Sequence, residues 1–206
     1  RPPEGALAVL SRFTGTVQFI DVDALSDLAS EIEVTVHVAV RLGDLVGQGT
    51  EIAWIYDGPL EAIDDAAKRR ISSAIRVGQS RHRSEDPVLA LKTLSEIGDR
   101  ALSPGINDPG TANDILDALV QVFSAAAEAS QDAGTSSQHP RVLVPIVDPE
   151  AVLTAAFEQI ARDGAGFVEV AVHLQHALSV ISNCLPAAWA DPLRVQSARA
   201  LERAKA

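Results

Sequence analysis

Between Gly15 and Tyr56 apolar side chains recur at every second position. Val17 and Phe19 begin the pattern, and Val34, Val36, Val38 and Val40 then alternate with Thr35, His37 and Ala39. That is the period of half-buried β-strands. Residues 23–29 interrupt it with a short helical turn that puts Leu25 and Leu28 on one face. Arg41-Leu42-Gly43-Asp44 and the stretch from Val46 to Gly49 read as turns, and Glu51 to Tyr56 as a closing strand. Beyond Gly58-Pro59 the period lengthens to three and four. Ile63, Ala66, Ala67, Ile71, Ala74 and Ile75 predict a helix over 60–77 that ends at Gly78, a residue suited to a helix C-terminus. Further helices are predicted over 87–102, 109–130, 149–161 and 168–185, with a terminal one from Asp191-Pro192. Residues 131–140 read as a polar loop and 141–147 as an isolated strand.

The expected fold class is therefore α+β. A small β-barrel-like or half-barrel module over 1–58 precedes an α-helical bundle over 59–206 that carries one strand near 141–147. The order of strand, short helix, strand, Gly-Asp turn, Val-x-x-Gly and strand resembles the half-barrels of lipoyl-like and adaptor modules. A carrier module of that kind needs a lysine on an exposed hairpin, and no lysine precedes Lys68.

Composition narrows the function classes. Apolar residues make up 47% of the 206 residues but aromatics only 4%, which suits helices packed through Ala, Val, Leu and Ile. The absence of Met and the start at Arg-Pro-Pro lead us to expect an internal piece of a longer protein. No apolar run approaches the roughly eighteen residues of a membrane span, and no signal peptide is recognisable, so the piece itself is expected to be soluble. The single Cys184 excludes an intramolecular disulfide and a cysteine-rich metal site, and its apolar neighbours suggest a buried thiol rather than a nucleophile.

The net charge of −11 is unevenly spread. Residues 1–66 hold twelve acids and three bases, whereas residues 67–100 hold eight bases and four acids. Lys68, Arg69, Arg70, Arg76, Arg81 and Arg83 form a basic island in an acidic chain. The overall charge argues against nucleic-acid binding. The island suits either pairing with neighbouring acids or contact with an acidic subunit or an anionic membrane.

The densest turn chemistry lies in Ser103-Pro104-Gly105-Ile106-Asn107-Asp108-Pro109-Gly110, between two helical patterns. Asp108-Pro109 has the form of a helix start, as do Asp148-Pro149 and Asp191-Pro192. Gly105 and Asn107 can take left-handed backbone angles and turn N–H groups toward an anion or a partner. His173 and His176 share a helix face one turn after Glu169, a pair that lacks the further ligands of a zinc site. No nucleophile elbow, phosphate loop or dinucleotide fingerprint occurs.

On these residues the chain resembles the predicted membrane proteins grouped as domain of unknown function 2254. Ala101-Leu102-Ser103-Pro104-Gly105-Ile106-Asn107-Asp108-Pro109 with Thr111-Ala112 is similar to the family's hallmark. Gly15-x-Val17-Gln18-x-Ile20-Asp21, Arg41-x-Gly43-Asp44-x-Val46-x-x-Gly49 and Ala155-Ala156-Phe157-x-x-Ile160, with Val170, Leu174 and Ala177-Leu178, extend the likeness. The family's Arg-Thr-x-x-Gln-Asp pattern falls on Arg81 to Asp86, where this chain has His82 and Glu85 instead. The resemblance implies four membrane helices ahead of Arg1 and a place for this chain on the cytoplasmic side of a bacterial inner membrane. It implies no particular reaction.

The function expected is that of a non-enzymatic assembly or regulatory domain of a multi-pass membrane protein. A small-anion or metabolite sensor is the alternative, with Arg81, Asp86, Ser103, Gly105, Asn107 and Asp108 as ligand contacts. Lys68, Arg69 and Arg70 are the candidates for membrane or subunit contact. No catalytic residue, metal ligand or cofactor is assigned. A hydrolase-like reading would need His82, Asp86 and Asp108 to converge on one cleft. The expected partners are the protein's own transmembrane segment, a second copy of the chain and an anionic lipid surface.

Overall fold

The computed structural model describes residues 2–79, 86–132 and 139–205. The chain divides into two compact units, Arg1–Asp86 with Ser137–Ile146, and Pro87–Ser136 with Val147–Ala206.

The first unit is built from two sheets and two helices. Strands β1 (Leu7–Leu10), β5 (Glu51–Tyr56), β3 (Thr35–Val38) and β7 (Val142–Leu143) form a four-stranded sheet in that order. Strands β4 (Leu45–Val46), β2 (Gly15–Ile20) and β6 (Ile75–Gly78) form a three-stranded one. The expected α+β class holds, and among the described residues neither sheet closes into a barrel. The valine alternation behaves as predicted, with Val34, Val36, Val38 and Val40 buried beside Ile52 and Ile55. Helix α1 (Val22–Glu31) covers the core with Leu25 and Leu28 and is capped by the Asp21 carboxylate, which accepts from Ala24 N at 3.0 Å. The 41–44 turn is held by Arg41 N donating to Asp44 Oδ2 at 2.8 Å, with Gly43 in the left-handed region.

The helix expected over 60–77 is cut at both ends. A short 3-10 turn (Leu60–Ala62) comes first, and helix α2 runs only over Asp65–Ala74. Ile75 to Gly78 then leave the helix to pair antiparallel with β2 as β6. Ladder hydrogen bonds to β2 replace the helical ones, and Ile71 and Ile75 still reach the same core. The pairing brings Gly15 and Gly78 so close that a Cβ on Gly15 would overlap the Gly78 carbonyl.

The division therefore falls at Asp86 rather than at 58, because α2 and β6 complete the first unit. The strand expected to stand alone near 141–147 also belongs there, shortened to β7 and paired parallel with β3 through Val36↔Val142 and His37↔Leu143.

The second unit is helical. It comprises α3 (Pro87–Ala101), α4 (Pro109–Asp132), α5 (Pro149–Asp163), α6 (Val168–Cys184) and α7 (Ala190–Lys205). Its packed pairs are α3 with α4 and α5, α4 with α6, and α7 with α5 and α6. The core holds Leu116, Leu119, Leu153, Phe157, Ile160, Leu174 and Ile181. Phe157 stacks on Phe123 with centroids 5.8 Å apart, and Trp189 meets Phe123 edge-on. Gly98 lets α3 approach α5, since a Cβ there would come within 2.8 Å of Ile160 Cδ1. Cys184 is half-buried. Among the described residues no helix is long and apolar enough to cross a membrane.

Candidate functional site

The loop between α3 and α4 turns on its own backbone. Asn107 N and Ile106 N donate to the Ser103 carbonyl at 2.9 and 3.0 Å, and Asp108 N donates to the Ala101 carbonyl at 2.8 Å. Ser103 Oγ donates back to the Arg100 carbonyl at 2.7 Å. Asn107 takes the left-handed conformation, φ 53°, which asparagine tolerates better than most residues. Gly105, the other residue expected to do so, is not at positive φ. Of the two amides expected to face a ligand, those of Gly105 and Asn107, that of Asn107 is spent on the turn itself, as are its neighbours Ile106 and Asp108.

Asp108 caps α4. Its carboxylate accepts from the Thr111 hydroxyl at 2.6 Å and from Thr111 N at 3.1 Å. The Thr111 hydroxyl, then the N–H groups of Thr111 and Gly110, hold the Asp108 carboxyl below its ordinary value. The group is an anion anchored at the positive end of a helix. It adds negative charge where an incoming anion would have to sit.

Ser103 to Asp108 follow the C-terminal end of α3, whereas Asp86 immediately precedes its N-terminal end. The 15 residues of α3 rise about 22 Å, so Asp86 and Asp108 lie at opposite ends of that helix. Asp86 is buried and hydrogen-bonded or paired within the fold. Arg81 and His82 lie outside the described residues. His173 engages Asp117 at 2.8 Å, and no group of three or more His, Cys, Asp or Glu side chains converges on a metal position among the described residues.

The basic island resolves into different fates. Arg70 grips Glu31 through both guanidinium nitrogens at 3.0 and 2.7 Å, joining α2 to α1. That pairing lowers the Glu31 carboxyl and raises the Arg70 guanidinium. Arg69 lines an open cleft between the same helices with Asp21 and Ser73. Lys68 is half-buried, and neither it nor Arg69 has a carboxylate partner among the described residues.

Two cations that the sequence did not place together share a second cleft of about 190 Å³ in the first unit. Arg12 and Arg76 line it with Phe13, Ser11, Ser72 and Ser73, and among the described residues no carboxylate does. Arg12 lies 5.9 Å from the Phe13 ring centroid and Arg76 5.3 Å from that of Phe19, both within cation–π range. Ser73 lines both clefts.

The arrangement defines a two-unit α+β chain. The chain belongs to the family described as Predicted membrane protein (DUF2254), whose model matches residues 1–179. It is 28% identical over 200 residues to uncharacterized proteins of Mycobacterium bovis and Mycobacterium tuberculosis. Those alignments cover 94% of this chain but 37% of each relative, so the chain spans little more than a third of their length. No solved structure matches it.

Proposed function

We propose that this chain is an extramembrane assembly or regulatory domain of a bacterial membrane protein, placed on the cytoplasmic side of the inner membrane. One observation carries the reading. A family of predicted membrane proteins matches most of the chain, while no helix among the described residues could cross a bilayer. Membrane-spanning segments then belong to sequence outside this chain, consistent with relatives about two and a half times as long. On this reading the domain works by contact, with its own transmembrane segment, with a second copy and with lipid.

Native mass spectrometry of the 206-residue chain tests the reading. A defined oligomer without bound small molecules is expected. A monomer that retains a discrete extra mass contradicts it and favours metabolite sensing. The sensing alternative has less support, because the amides of residues 106–108 are already engaged and Asp108 is anionic.

A further inference from the structure

We propose that the face formed by Arg12, Phe13, Phe19, Leu45 and Arg76 is where the first unit docks on the anionic headgroup surface of a bilayer. The inference rests on the extramembrane-domain reading and adds the site and the chemistry of its partner.

The topology makes the face. Val17 and Val46 point into the core, so their neighbours Thr16 and Leu45, paired across β2 and β4, point outward. A register shift between Val17 and Phe19 turns Phe19 outward too, opposite Arg76 on β6. The β1–β2 connection adds Arg12 and Phe13. Phe13 is 61% exposed and Leu45 82%. Single exposed apolar side chains are ordinary on a protein surface. Here, however, they share a face with two arginines held over aromatic rings.

Charge decides the occupant. In a chain of net charge −11, Arg12 and Arg76 have no carboxylate partner among the described residues. Guanidinium forks match phosphate oxygens in pairs, and the rings and Leu45 supply the apolar side chains that sink toward the acyl boundary. A nucleic-acid partner would present the same phosphates but has no acyl region to receive Phe13, Phe19 and Leu45.

The test is flotation of the 206-residue chain with vesicles of phosphatidylcholine, with and without phosphatidylglycerol. The wild type is expected to bind the phosphatidylglycerol vesicles preferentially and to lose binding as salt is raised. The double variant Arg12→Glu/Arg76→Glu should bind them at least tenfold more weakly, on the scale of about fivefold per basic residue. Phe13→Ser/Leu45→Ser should weaken binding to both vesicle types, and Arg194→Glu in the second unit should change neither. All substituted positions are exposed, and an unaltered melting temperature confirms that each variant folds. Equal binding by the wild type and the arginine double variant overturns the proposal. So does a wild type that ignores phosphatidylglycerol; if it nevertheless forms a defined oligomer, the assembly reading stands and the face belongs to a protein contact.

Discussion

The two units use their arginines in opposite ways. In the helical unit every arginine of α5 and α7 is tied to a carboxylate. Arg162 engages Asp163 and Asp99, Arg194 engages Asp191, Arg199 engages Glu150, and Arg203 engages Glu158. In the sheet unit Arg70 alone has such a partner among the described residues, while Arg12 and Arg76 lie over exposed rings. Arg162–Asp99, Arg199–Glu150 and Arg203–Glu158 join one helix to another, whereas Arg12 and Arg76 lie beside apolar rings on the surface. On the docking proposal, this difference makes the helical unit the scaffold and the sheet unit the contact surface.

The largest effect expected from a single substitution lies in the scaffold. Phe157 is fully buried and stacked on Phe123, so Phe157→Ala should cost about 3–5 kcal/mol. The chain's two tryptophans report the units separately, Trp54 on β5 and Trp189 beside Phe123. In denaturant titrations of single-tryptophan versions, the Trp189 midpoint should fall further than that of Trp54. Equal shifts would make the two units one cooperative body and remove the basis of the comparison.

Next in size is the Glu158–Arg203 pair, which links α5 to α7. The Arg203 hydrogen bond holds Glu158 below its ordinary pKa of 4.5, against the raising effect of burial. A depressed carboxylate stabilises the fold above its unfolded-state pKa, and that contribution disappears as pH falls through the lower folded-state value. Glu158→Gln should cost about 1–3 kcal/mol at neutral pH and flatten the acid limb of stability against pH below about 4.5. An acid limb of wild-type steepness would show the pair to be inert.

Smaller still is the cap on α4. Asp108→Ala should lower the melting temperature, and Asp108→Asn should retain most of it, since asparagine caps as well as aspartate does. If Asn and Ala lower it equally, the role of Asp108 is something other than capping. The smallest expected change is in the contact face, where Arg12→Glu and Arg76→Glu should leave the melting temperature unaltered.

The helices from α3 onward were legible from their long three-and-four period, coupled in α4 and α5 to a marked start, whereas α6 begins after Phe167 without a side-chain cap. Asp108-Pro109 and Asp148-Pro149 open α4 and α5 at the expected residues, and α7 begins one residue before Asp191. Ile75 to Gly78 were not legible. Their spacing continues that of α2, and the pairing partner that overrides it lies some sixty residues earlier in β2. The place of β7 depends in the same way on a distant parallel neighbour, β3, and β1 is too short for its period to stand out. Asp108 as a cap and Asn107 in a left-handed turn could be read from residue type alone. Arg12 could not be singled out, because it sits in the most acidic stretch of the chain and meets Arg76 only through the fold.

The claim that one unit makes contact while the other supports it is tested most directly by hydrogen exchange of the chain with and without phosphatidylglycerol vesicles. The account predicts slowed exchange in the β1–β2 connection around Arg12 and Phe13, and in β6 around Arg76, with α5 to α7 unchanged. Protection in α5 to α7, or none in the sheet unit, would contradict it.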